Sequence, residues 1–227
     1  MAVDDSYTKI LLHMDGANLS TTFTDEAGDT WAPHGTAAIY TSYYVFGGAA
    51  GGFDGTGAYV TSTASHPAGT GNFVIDFWLN MASATQKARG VFSNRRNAGG
   101  SSAEWVVKVG DTNNCLSFHT GAAAIIDDTT HPLSQDTWYH IAFIRSGNTL
   151  YYAKDGSIIT SASLTSDLSG TQSFSMAGND VFATGLLFGR VDELRLSIGT
   201  DRGWSSGFTP PTSAYAPKTF IPRPIFF

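Results

Sequence analysis

A single cysteine, Cys115, in 227 residues excludes an intramolecular disulfide, so the fold must rest on burial and backbone hydrogen bonding. Charge is scarce as well. Asp, Glu, Lys and Arg make up 14% of the chain, against about 25% in typical soluble proteins. The balance is acidic, 13 cationic against 19 anionic residues, and Lys and Arg form no block. The electrostatic attraction that dominates nucleic-acid binding is therefore missing, and neither nucleic acid nor an anionic membrane is an expected partner. No stretch approaches the roughly 20 apolar residues of a membrane-spanning helix. The opening MAVDDSYTKILLHMDG has two early aspartates and only about five consecutive apolar residues, too few for the core of a signal peptide. The expectation is a protein made in the cytoplasm that reaches any outside target by another route, such as lysis together with a virus particle.

What is abundant is turn chemistry. There are 25 glycines, with many Ser and Thr, and apolar-rich segments recur between Gly, Asn, Asp and Ser, the rhythm of an antiparallel β-sandwich. At least nine strands are predicted, the best of them Lys9 to Met14, Ala58 to Thr61, Phe73 to Met81, Gly90 to Ser93, Trp105 to Val109, Cys115 to His119, Trp138 to Ser146, Thr149 to Lys154 and Arg190 to Ile198. Ser146-Gly147-Asn148 and Asp155-Gly156 supply hairpin turns. Phe73 to Met81 and Trp138 to Ile144 carry apolar or aromatic residues on both alternating sets, which predicts central strands covered on both sides. Gly47 to Phe53, reading GGAAGGF, suits a close backbone approach or an irregular loop. Trp31, Trp78 and Trp138 are core candidates.

Length permits one sandwich over residues 1–207, followed by a Pro- and aromatic-rich tail over 208–227. Five of the eight prolines lie in that tail, and since proline cannot donate to a ladder it should wrap the sandwich or leave it. The end, IPRPIFF, is too apolar to be left in water. Phe220, Ile221, Ile225, Phe226 and Phe227, with Trp204 upstream, are candidate assembly residues, docking on the parent domain, a second copy or another protein.

The order of these segments resembles the LamG-like jelly-roll family, which shares the concanavalin A-type sandwich of two curved antiparallel sheets. ILLHMDG (10–16), FDGTGAYV (53–60) and GNFVIDFWLN (71–80) are similar to its opening strands. DTWYHIAFIRSGNTLYYAKDG (136–156) is similar to its central hairpin and GRVDELRLS (189–197) to its closing strand. FTPPTSAY (208–215) is similar to a tail that follows this domain in bacteriophage proteins. The resemblance implies an all-β jelly roll that binds sugar, binds protein or decorates a longer assembly. It also implies that some members hold a structural calcium near an inward aspartate.

Alternation over Val191 to Leu196 puts Asp192 on the side of Leu194 and Leu196, facing inward, where a carboxylate needs a partner. Asp15 and Asp54, each followed by glycine, are its candidate partners for calcium; the alternative is that these aspartates cap turns and Asp192 accepts backbone hydrogen bonds. For a sugar, the richest local supply of polar and aromatic groups is Asn94, Arg95, Arg96, Asn97 and Trp105 around a Gly-Ser loop; the alternative places Trp105 in the core. No catalytic residue is expected. A glycosidase needs two carboxylates about 5 to 9.5 Å apart, and the Glu-x-Asp-x-x-Glu arrangement of laminarinase-type enzymes is missing. Adjacent pairs such as Asp127-Asp128 and Asp192-Glu193 point to opposite faces of a strand. There is no Gly-x-Ser-x-Gly elbow, and the six histidines lack metal-ligand spacing. The sequence thus points to a non-catalytic, lectin-like module of a phage virion that recognises host-surface carbohydrate in several copies. A purely structural head-decoration or tail accessory protein, contacting other virion proteins, is the alternative.

Overall fold

Fifteen strands and no helix make up the described part of the computed structural model, which covers residues 5–94, 101–112, 114–178 and 185–216. In chain order the first half contributes β1 (Thr8–Leu12), β2 (Trp31–His34), β3 (Ala38–Tyr40), β4 (Ala50–Asp54), β5 (Tyr59–Ser62), β6 (Phe73–Met81) and β7 (Arg89–Ser93). The second half adds β8 (Trp105–Val109), β9 (Leu116–Thr120), β10 (Ala123–Asp127), β11 (Trp138–Ser146), β12 (Thr149–Lys154), β13 (Ser157–Ser163), β14 (Ser175–Met176) and β15 (Phe188–Ile198). They form two antiparallel sheets. One runs β13-β12-β11-β6-β15-β4-β3, with β1 also on β15; the other runs β10-β9-β8-β7-β14-β5-β2. This is the all-β sandwich expected from the sequence.

The period-2 pattern explains how the sheets face each other. Phe73, Ile75, Phe77, Leu79 and Met81 of β6 point between the sheets, where Phe92, Trp105, Phe118, Phe143 and Phe174 each lie within about 6 Å of another of these rings. Each such ring, fully removed from water, contributes about 2–3 kcal/mol. β6 and β11 are central, as predicted, and they are covered on the other side too. There Val74, Ala142, Ile144 and Ala153 form a second, smaller apolar cluster beneath Trp204 and Phe208.

GGAAGGF is a correction to the loop reading, because Ala50–Asp54 is strand β4. The glycines do serve a close approach. Gly52 lies directly under the Tyr40 ring, where a β-carbon would come within 2.4 Å of an aromatic atom. Asp192 is a correction of direction. Along β15, Asp192 pairs with Trp78 but Arg195 pairs with Asp76, so one extra residue is inserted, and Glu193 takes a positive φ of 49°. The bulge resets the alternation, leaving Leu194 and Leu196 inside and turning Asp192 onto the outer face beside Trp78. Trp78 and Trp138 are likewise corrected: both lie on that outer face and are only partly buried, whereas Trp31 belongs to the core.

Residues 200–216 run back over the outer face of the β6–β15 sheet. The Phe208 N–H donates to the Gly156 carbonyl (2.9 Å), and the Trp204 and Phe208 rings stack at 3.9 Å. Farther on, the Tyr215 N–H donates to Glu193 (3.0 Å), its hydroxyl donates to Asp76, and the Arg195 guanidinium lies 3.7 Å from its ring centre. This part of the tail wraps its own domain. Phe220, Ile221, Ile225, Phe226 and Phe227 lie outside the described residues.

Candidate functional site

Because successive residues alternate, register alone assembles rows of side chains on the outer face. Gly52 of β4, Arg190 of β15, Asn80 of β6 and Trp138 of β11 stand side by side in one row, and Asp192, Trp78 and His140 in the next. Phe188 and Asp54 pair at the end. Gly52 lets the Tyr40 ring lie across β4, and the groove beside it is lined by Tyr40, Ser42, Gly52, Asp54, Phe188 and Arg190.

Arg190 is held from three sides. Its Nη1 donates to Asn80 Oδ1 (3.0 Å), Asp136 lies 3.8 Å away, and the Tyr43 ring covers the guanidinium at 4.1 Å. Tyr43, Tyr44 and Phe188 are 51%, 48% and 44% exposed, large rings that the fold leaves facing water. Asp54 is rigidly placed. Its Oδ1 accepts the N–H groups of Thr56, Gly57 and Ala58 at 2.8–3.1 Å, and its Oδ2 accepts the Thr36 hydroxyl. Partial burial opposes its ionisation, yet these donors outweigh it and hold the carboxyl well below the usual carboxylate range.

Asp192 closes the inner end. Its Oδ2 accepts the N–H groups of Val45 (2.7 Å) and Phe46 (3.1 Å), which ties the Thr41–Gly48 segment down over the sheet. Burial pushes this carboxyl up to about 7; the two N–H donors work against that rise, and the neighbouring Glu193 charge adds to it. A separate cluster lies beneath Tyr215. Asp76 is fully buried, paired to Arg195 (3.1 Å) and to His140 (3.4 Å), while Glu193 accepts from His13 (2.9 Å). Burial works against the Asp76 charge, but Arg195 and His140 hold its carboxyl down at about 2. Both carboxylates are spent on partners under the tail and do not line the groove.

The candidate metal set does not assemble. Asp54 caps its own turn, Asp192 anchors a loop, and Asp15 lies against Gly47 at the surface. Among the described residues no three His, Cys, Asp or Glu side chains converge on a point that could hold an ion. The candidate sugar set also dissolves. Trp105 is 2% exposed and stacks in the core, and Asn94 is 1% exposed, its Oδ1 accepting the Trp105 N–H (2.8 Å) to close the β7–β8 hairpin. Large rings go to the core when their strand parity points there. Arg95, Arg96 and Asn97 lie outside the described residues. Trp204 packs on its own sheet, against Phe208 and above the outer apolar cluster, where it is partly buried.

Tyr43, Trp78, Asn80, Trp138, Phe188 and Arg190, the residues of this candidate site, are not among those the sequence singled out for binding. Two signals could have found them: polar and aromatic residues at the even positions of β6, opposite its apolar odd positions, and the tandem tyrosines after β3, where no strand pattern would bury them.

No curated protein matches the chain in sequence. Among solved structures it is similar to domain 4 of a GH43 extracellular arabinanase from Geobacillus stearothermophilus in complex with arabinotriose. The identity is 16% and the TM-score 0.64, over 92% of this chain and 97% of that one. It is similar, too, to the binding domain of Paraclostridial Mosquitocidal Protein 1 (13% identity, TM-score 0.63), over 84% of this chain but only 48% of that one. A third likeness is to Trypanosoma rangeli sialidase in complex with sialic acid (12% identity, TM-score 0.61), over 87% of this chain and 31% of the sialidase. These identities establish a shared fold. Residues 54–199, from the last residue of β4 to just past β15, match the family described as the concanavalin A-like lectin/glucanases superfamily. With well over half its length matched in sequence and two antiparallel sheets in the corresponding arrangement, the chain belongs to the concanavalin A-like lectin/glucanases superfamily.

Proposed function

We propose that this protein is a non-catalytic carbohydrate-recognition module that binds sugar in the outer-face groove of the β6–β15 sheet. The observation that carries the reading is the Tyr43–Arg190–Asn80 arrangement, flanked by the partly exposed Trp78 and Trp138. Sugar recognition needs an aromatic face for the ring and fixed polar groups for its hydroxyls; Tyr43, on the loop after β3, supplies the first, and Arg190, held on β15 by Asn80, the second. The likeness to an arabinanase domain bound to arabinotriose supports the same reading. Burial of Asp76 and Glu193 under the tail supports a role without catalysis, since neither reaches the groove as an acid or nucleophile.

The module is proposed to act on a phage particle, as a host-surface adhesin whose shallow site gains strength from multiple copies. The FTPPTSAY segment supports that setting. A glycan array probed with multimerised protein tests the binding. Retention on one class of polysaccharide, lost in Tyr43→Ala, is the expected result; uniform silence across host polysaccharides would reject it. A structural virion role predicts that removing residues 220–227 changes oligomeric state or particle incorporation.

A further inference from the structure

The outer face of the β6–β15 sheet hides polar atoms that it does not satisfy. Trp78 Nε1, Asn80 Nδ2, His140 Nδ1 and Asp192 Oδ1 are all buried with no hydrogen-bond partner among the described residues. They are neighbours by register, for Trp78 pairs with Asp192 on one side and His140 on the other, and Asn80 stands one row away beside Arg190. Asn80, His140 and Asp192 are at most 1% exposed. Native folds satisfy nearly all such groups, so four orphans on adjacent positions point to a partner that fits there.

The Thr41–Gly48 segment, which joins no strand ladder, covers Asp192 and Trp78, whereas His140 lies under the tail, against Trp204, Phe208 and the Tyr215 hydroxyl. The segment is held by the two N–H bonds to Asp192 Oδ2, by the Phe46 ring edge-on to Trp78 at 6.0 Å, and by Tyr43 on Arg190. The outer groove lies immediately beside it.

We propose that Thr41–Gly48 is a lid, and that beneath it Trp78, Asn80 and Asp192 form an inner subsite for one neutral sugar unit entering from the Tyr43–Arg190 groove. The proposal rests on the groove being the carbohydrate site. The chemistry selects hydroxyls. Trp78 and Asn80 offer N–H donors and Asp192 offers an acceptor, while a sugar hydroxyl both donates and accepts. A carboxylated sugar is disfavoured, because it would bring a second negative charge to Asp192 while Arg190 is already engaged by Asn80, Asp136 and Tyr43. Since the orphan atoms are sealed, the lid must rise for the sugar to enter.

The test uses the whole chain with arabinotriose, maltotriose and sialyllactose as probes, followed by the indole N–H resonance of Trp78 and by the affinity of Trp78→Phe. That substitution keeps a ring and removes the donor. The expected result is binding of a neutral trisaccharide, a downfield move of the Trp78 resonance, and affinity about five- to tenfold weaker in Trp78→Phe, the worth of one hydrogen bond. The resonance reports on the wild-type protein even if the variant fails to fold. If a trisaccharide binds and Tyr43→Ala abolishes it while the Trp78 resonance stays still, the lid subsite is wrong and the outer groove stands. Sialyllactose binding as tightly as the neutral sugars, with the resonance moving, overturns the neutral assignment. No binding by any probe at millimolar concentration overturns both the subsite and the groove.

Discussion

Replacing Asp192 by asparagine should stabilise the fold near neutral pH and leave it almost unchanged in mild acid. The side chain is 0% exposed and its carboxyl is pushed from 3.8 up to about 7, chiefly by burial. A folded-state value above the unfolded one means that the folded protein holds this proton more tightly. The favourable contribution is therefore complete below about pH 4, falls as pH rises through the range between the two values, and has been lost above about pH 7. A rise of roughly three units corresponds to about 4 kcal/mol at full ionisation. Of this, about 3 kcal/mol is lost between pH 4.5 and 7.5, since a little of the fall has already occurred at the lower pH. Asparagine keeps an oxygen for the Val45 and Phe46 N–H groups but carries no charge, so its advantage over wild type should grow by about that amount. Urea unfolding of both proteins at the two pH values measures it, and comparing them at each pH cancels the titration of groups that do not interact with residue 192. At pH 7.5 the melting temperature should rise by about 5–10 °C. A variant that gains nothing at the higher pH would refute the reasoning, because it would mean that ionised Asp192 is stabilised in the fold.

Other substitutions probe the outer face. Asp76→Asn leaves Arg195 buried without its counter-charge and should cost about 3–5 kcal/mol by urea unfolding, far more than a surface pair. Gly156 has φ +79°, and a β-carbon there would lie 1.9 Å from the Phe208 carbonyl; Gly156→Ala should detach the tail locally, seen as a shift of Trp204 fluorescence with a lower melting temperature. Millimolar calcium should leave the melting temperature unchanged, since Asp54 and Asp192 already spend oxygens on backbone donors; a rise of several degrees would indicate a site built from other groups.

The sandwich was legible because burial writes period-2 patterns into long strands. Phe73–Met81, Trp105–Val109, Trp138–Ser146 and Thr149–Lys154 have the ends expected of them. Short or small-residue strands left no such pattern: β3 has three residues, β14 has two, and β4 reads AGGFD, its glycines silent about which face they occupy. The site was less legible for a different reason. Asp192 was identified as a buried carboxylate in need of partners, and its partners are backbone N–H groups, but the extra residue at Glu193 turned it to the opposite face from the one that alternation gives. A bulge leaves no trace in a binary pattern. The groove itself joins residues from β3, β4 and β15 with the loop after β3, and sequence proximity could not reveal that grouping, whereas the local richness at residues 94–105 drew attention to a tryptophan that belongs to the core.

The central claim is that sugar binds on the outer face of the β6–β15 sheet. Backbone and indole resonances of the full chain, mapped during titration with the best glycan from the array, test it most directly. The account predicts that shifts cluster at Tyr43, Trp78, Asn80, Trp138 and Arg190. Shifts confined to residues 94–105, or to the loops at another edge of the sandwich, would contradict it.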